Sequence, residues 1–91
     1  MDHADDLLQK GRYGAALAEA KAILRKEPGN AQAKTIAEEA EAALVVEDRI
    51  KKAREAIRRG DRDEALEQVK AGLAVNANDA RLMELFRELT K

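Results

Sequence analysis

Moved along itself by about 49 residues, the chain meets its own pattern, and this restricts the fold more than any other feature of its 91 residues. Gly11-Arg12-Tyr13-Gly14-Ala15-Ala16-Leu17 falls on Gly60-Asp61-Arg62-Asp63-Glu64-Ala65-Leu66, and Lys21-Ala22-Ile23-Leu24 falls on Lys70-Ala71-Gly72-Leu73. On the flanks Ala4, Leu8, Asn30, Ala31, Ile36 and Ala40 meet Ala53, Ile57, Asp79, Ala80, Leu85 and Leu89, so apolar residues keep helical spacing on both sides of the match. Two similar three-segment units follow, one over about 2–44 and one over about 46–91, within a single domain of 1–91.

The punctuation inside each unit is that of helices. Gly11 and Gly60 each close an amphipathic stretch, and Asp61 followed by Glu64 has the spacing of a capping box. Pro28-Gly29-Asn30 ends the next segment and offers Asn30 as an N-cap, while Asn78-Asp79 does the same in the second unit. The spacing predicts helices over about 3–10, 13–26, 31–59, 62–75 and 80–90, and no segment reads as a strand. The fold expected is all-α: five helices in two helix-turn-helix units that share one long central helix, an α-solenoid-like arrangement. Of the 45% hydrophobic residues roughly half are alanine, which leaves only about two dozen larger apolar side chains and a thin core.

The central helix rests on a stretch from Ala31 to Arg59 without Gly or Pro, long enough for ~43 Å of helix. Ile36, Ala40, Ala43, Val46, Ile50, Ala53 and Ile57 recur three or four apart and form its core stripe. Midway, Ala43, Leu44, Val45 and Val46 follow one another, and at about 100° per residue they encircle the helix. Either both hairpins converge on that point, or one valine stands in solvent, or a second chain covers it. In the last case Leu44, Val45 and Val46 form a self-association site, and an antiparallel copy sets the acidic half of one helix along the basic half of the other.

The repeated segment resembles a tetratricopeptide repeat. Gly11, Tyr13, Ala16, Leu17, Leu24, Pro28 and Asn30 stand at its turn, apolar and inter-helix positions in the first unit. Gly60, Ala65, Leu66, Leu73 and Asp79 do so in the second, where Arg62 replaces the aromatic and Ala77 the proline. The repeat length departs from the family, whose units run to about 34 residues, and Val45 occupies the place of the next turn glycine. The resemblance implies a scaffold that binds protein segments on its helix faces and carries out no reaction. The family's carboxylate clamp is not carried over, since Ile50, Arg54 and Arg58 occupy the equivalent stretch.

The residue inventory points away from catalysis and from cofactors. There is no cysteine and one histidine, His3 near the N-terminus, and the only hydroxyl side chains besides Tyr13 are Thr35 and Thr90, neither with a histidine nearby in sequence. Glu38, Glu39 and Glu41, then Glu47 and Asp48, lie on a helix without the glycine-containing loop that calcium sites use, so they read as a solvated face and no metal is expected. A formal charge of -1 offers no global attraction to nucleic acid or to an anionic membrane, and no aromatic stands among the basic residues to stack on bases. With an acidic start and no long apolar run, the chain is expected to be cytoplasmic, with a protein or peptide as its partner.

The candidate grip on that partner is the basic run Arg49, Lys51, Lys52, Arg54, Arg58, Arg59 and Arg62. Glu47, Asp48 and Glu55 stand four residues before Lys51, Lys52 and Arg59 and answer them locally. Arg49 and Arg54 have no carboxylate at helical spacing, and together with Arg58 they are the candidate partner-binding residues. Tyr13 and Phe86, the only aromatics, are expected to pack at a turn and in the last helix.

Overall fold

The computed structural model describes residues 2–91, and they are all-α: α1 Asp2–Gln9, α2 Tyr13–Lys26, α3 Ala31–Arg58, α4 Arg62–Val75 and α5 Ala80–Leu89. Among the described residues there is no strand. The chain divides into two compact units, Met1–Leu44 and Val45–Lys91. The first holds α1, α2 and the beginning of α3; the second holds the remainder of α3, α4 and α5. Helix α3 passes through Glu41–Ile50 without a break, as expected for a stretch lacking Gly and Pro.

The internal repeat is reproduced hydrogen bond by hydrogen bond. Gly11 N–H donates to Leu8 O and Arg12 N–H to Leu7 O, while Gly60 N–H donates to Ile57 O and Asp61 N–H to Ala56 O. Both pairs are the Schellman pattern, which satisfies the last carbonyls of a helix and puts its glycine at positive φ, here 78° and 77°. An L side chain there costs about 1–2 kcal/mol, hence glycine at both positions. The next turn repeats too: Glu27 donates to Ile23 and Asn30 to Glu27, as Asn76 donates to Gly72 and Asp79 to Asn76. The starts of α2 and α4, and of α3 and α5, stand one 49-residue step apart.

The caps are partly as expected. Asn30 Oδ1 accepts from Ala33 N–H at 3.0 Å, and Asp79 Oδ1 accepts from Arg81 N–H at 2.9 Å and Leu82 N–H at 3.1 Å. Asp61 Oδ1 accepts from Glu64 N–H at 3.1 Å, but the reciprocal half of the capping box is not made, because Glu64 Oε1 accepts from Gln68 Nε2 at 2.7 Å instead. Arg12, which holds the N-cap position of α2, has no side-chain acceptor to offer.

The core of the first unit joins Ala4, Leu7, Ala16, Ala20, Ile36, Ala37 and Ala40, with Leu8, Tyr13, Leu17 and Leu24 packed around them. That of the second joins Val46, Ile50, Ala53, Val69 and Leu82, flanked by Leu73, Leu85 and Leu89. Alanine supplies five of the seven buried residues of the first core but one of the five of the second, which is built on larger side chains. The expected stripe of α3 needs three corrections. Ile57 is 42% exposed, Ala43 is half-buried, and Ala56, one residue before Ile57, is the buried one. The equivalent residue in the first unit, Leu7, is also buried, so the core position is the one four residues before the turn glycine in both copies.

One packing detail shows how each unit fills itself. A Cβ on Gly72 would stand 2.8 Å and 3.0 Å from the two Cδ atoms of Leu82 and 3.3 Å from Arg49 Cβ. Leu82 therefore fills the space that Gly72 vacates. In the first unit the same two positions hold Ile23 and Ala33, so the bulk stands on the opposite helix.

Candidate protein-binding surface

The structure sorts the residues singled out from sequence into used and available. Arg49 is half-buried and its Nη1 donates to Gln68 Oε1 at 2.8 Å, with Gln68 handing on to Glu64. Its guanidinium is thus engaged within the second unit, contrary to the expectation of an unanswered charge. Arg54 and Arg58 are exposed and take part in none of the ion pairs among the described residues. Arg54 lines a cleft of about 270 Å³ with Arg81, Glu84, Leu85 and Glu88, where both signs of charge are present. Arg58 sits in the last turn of α3, where a cation complements the carbonyl end of the helix. Val46 is buried in the core and cannot meet another chain, while Leu44 and Val45 are exposed, Val45 at 41%.

The local ion pairs also differ from expectation. Asp48 does pair with Lys52, at 3.1 Å. Glu47, expected to answer Lys51, pairs instead with Arg81 at 2.9 Å, and Arg81 reaches Asp79 with its other nitrogen at 3.1 Å. Partial burial pushes the Asp79 carboxyl up, but the Arg81 guanidinium and the backbone N–H groups of Leu82 and Arg81 outweigh it and hold the carboxyl below its ordinary value. Hydrogen bonds to Asp79 and Glu47 raise Arg81 in turn. At the other end of α5, Arg62 Nε donates to Leu89 O at 2.8 Å. The arginine that stands where Tyr13 stands in the first unit thus supports a helix end.

The remaining feature was not found from sequence. On α5 and the end of α4, Val75 is 44%, Met83 46% and Phe86 36% exposed. Met83 and Phe86 line a groove of about 450 Å³ with Leu73, Ala77, Arg87 and Thr90. Phe86, expected to pack in the last helix, is instead exposed and lines this groove. Glu84, Leu85 and Glu88, which face Arg54, lie on the opposite side of α5, as 100° per residue requires. The groove and the Arg54 cleft are two separate surfaces.

Single exposed apolar residues need no explanation, but the first unit serves as an internal control. Where the second unit has Val75, Met83 and Phe86, the first has Lys26, Lys34 and Ala37. Where the second has Arg87 and Thr90, the first has Glu38 and Glu41. Lys26 and Lys34 show that the shared helices and turns do not require apolar side chains at Val75 and Met83, whereas Ala37, the counterpart of Phe86, is buried in the first unit's core. Periodicity could not single out Met83 and Phe86, because their 3–4 spacing is also that of core residues.

The other surfaces carry less chemistry. His3 is exposed on α1, and the Thr35 and Thr90 hydroxyls donate to the carbonyls of Ala31 and Phe86 in their own helices. Among the described residues no three His, Asp or Glu side chains gather as a metal site would need, and no helix is long and apolar enough to cross a membrane. No family model matches the chain, and neither does any curated protein or solved structure.

Proposed function

We propose that this chain is a non-catalytic protein–protein interaction module of tetratricopeptide type, which binds a segment of a partner protein through its second unit. The observation that carries this reading is the exposure of Met83 and Phe86 in a groove, with Lys34 standing in the first unit where Met83 stands in the second. Apolar surface kept in water where a sibling copy does without it marks a contact site. Transplanting the first unit's residues tests the reading: V75K, M83K and F86A together should abolish capture of the partner while far-UV circular dichroism stays helical. Capture that persists in the triple variant would refute the groove as the site. The exposed Arg54 and Arg58 are a separate surface, and R54E with R58E reports on it independently.

A second reading, self-association through α3, is favoured by the exposed Val45. Light scattering at high micromolar concentration separates the two. A dimer that V45K dissociates supports self-association, and a strict monomer removes it.

A further inference from the structure

We infer, resting on the reading of the second unit's groove as a partner site, that its occupant is an acidic amphipathic helix of another protein, with apolar anchors three or four residues apart and an Asp or Glu beside them. The shape of the site selects a helix. Met83 and Thr90 mark the extent of the groove along α5, ~10 Å, or about two turns of a partner helix. Two turns bring two or three anchors at i, i+3 or i+4 and i+7 into register with Met83, Phe86 and Leu73. An extended strand would find no sheet edge to join, since the described residues contain no strand.

The charge of the site selects the acid. Arg87 is the one charged residue lining the groove, it is exposed, and it enters none of the ion pairs among the described residues. The first unit holds Glu38 at this position, so the second unit differs from its sibling by added apolar surface and by reversed charge at the same place. An Asp or Glu packed against apolar groups beside Arg87 is answered across the interface, whereas a Lys there is repelled. The size of the site argues against a second copy of this chain. Its two exposed apolar side chains, Met83 and Phe86, offer on the order of 150 Å² of apolar surface, against ~800 Å² per partner in a standard stable interface.

The test is selection from a display library of peptides of about 14 residues, four turns of helix, against the full chain and against R87E and the M83K/F86A pair. Enriched peptides are expected to share apolar residues three or four apart with a neighbouring Asp or Glu. R87E should move that preference to Lys or Arg and weaken the selected acidic peptides about tenfold or more. Enrichment that depends on Met83 and Phe86 but ignores peptide charge, or is unchanged in R87E, overturns the acidic partner and leaves the groove reading standing. No enrichment over M83K/F86A overturns both. A dimer in light scattering that M83K dissociates would give the groove to a second copy and overturn the inference.

Discussion

Two residues one repeat apart, Arg12 and Asp61, hold the N-cap positions of α2 and α4 with nearly the same backbone, φ -90° and ψ 67° against φ -94° and ψ 84°. Asp61 caps its helix and Arg12 does not. R12D should therefore stabilise the protein by about 1 kcal/mol, the usual worth of an N-cap acceptor, read as a higher urea midpoint with an unchanged slope. Asp79 makes a prediction with a sign in pH. Its carboxyl titrates below the ordinary 3.8 when folded, so its contribution is complete above that value and is lost as pH falls through the lower, folded one. Acid titration of stability should be steeper for the native protein than for D79N below about pH 4, because asparagine keeps the cap acceptor without the charge. Equal slopes would mean that Asp79 carries no titrating share.

Between elements, Gly72 of α4 and Leu82 of α5 are a matched pair of small and large. Alanine in place of a helical glycine normally gains about 1 kcal/mol, yet here the added methyl has no room. G72A is expected to destabilise, since overpacking costs about 1–3 kcal/mol, and L82A in the same chain should remove much of that specific penalty as a measurable coupling in a double-mutant cycle. Additive effects would show that Leu82 simply moves aside. The exposure of Ile57 belongs at this scale too. Ala56 and Ile57 are adjacent on α3, and periodicity alone favours the larger residue as core. The structure buries the methyl of Ala56 and leaves Ile57 42% exposed.

For the whole molecule, duplication permits one copy to be read against the other. Residues alike in both units, such as the turn glycines and Ala16 with Ala65, are what the units need in order to fold. Differences such as Gly72 and Leu82 against Ile23 and Ala33 repack the core, whereas the exposed Val75 and Met83 against Lys26 and Lys34 lie outside what the shared fold needs. V75K with M83K should change stability by less than about 0.5 kcal/mol, as ordinary surface substitutions do, by thermal or urea unfolding. A large loss would assign these side chains to packing and withdraw the groove as a contact surface.

Helix number, turn positions, caps and the repeat step were determined by sequence alone, because they depend on interactions within a few residues: a glycine at positive φ, a side-chain acceptor three residues ahead, an uninterrupted run of helix formers. Which neighbours face inward and which charges find answers was decided only by tertiary structure. Val46 and Val45 differ by one residue yet lie in core and solvent, and Arg49, without a local carboxylate, is engaged by Gln68 from another helix. Met83 and Phe86 have the spacing of core residues and a groove for surroundings. Burial and pairing depend on residues distant in sequence, and local pattern holds no record of where those stand.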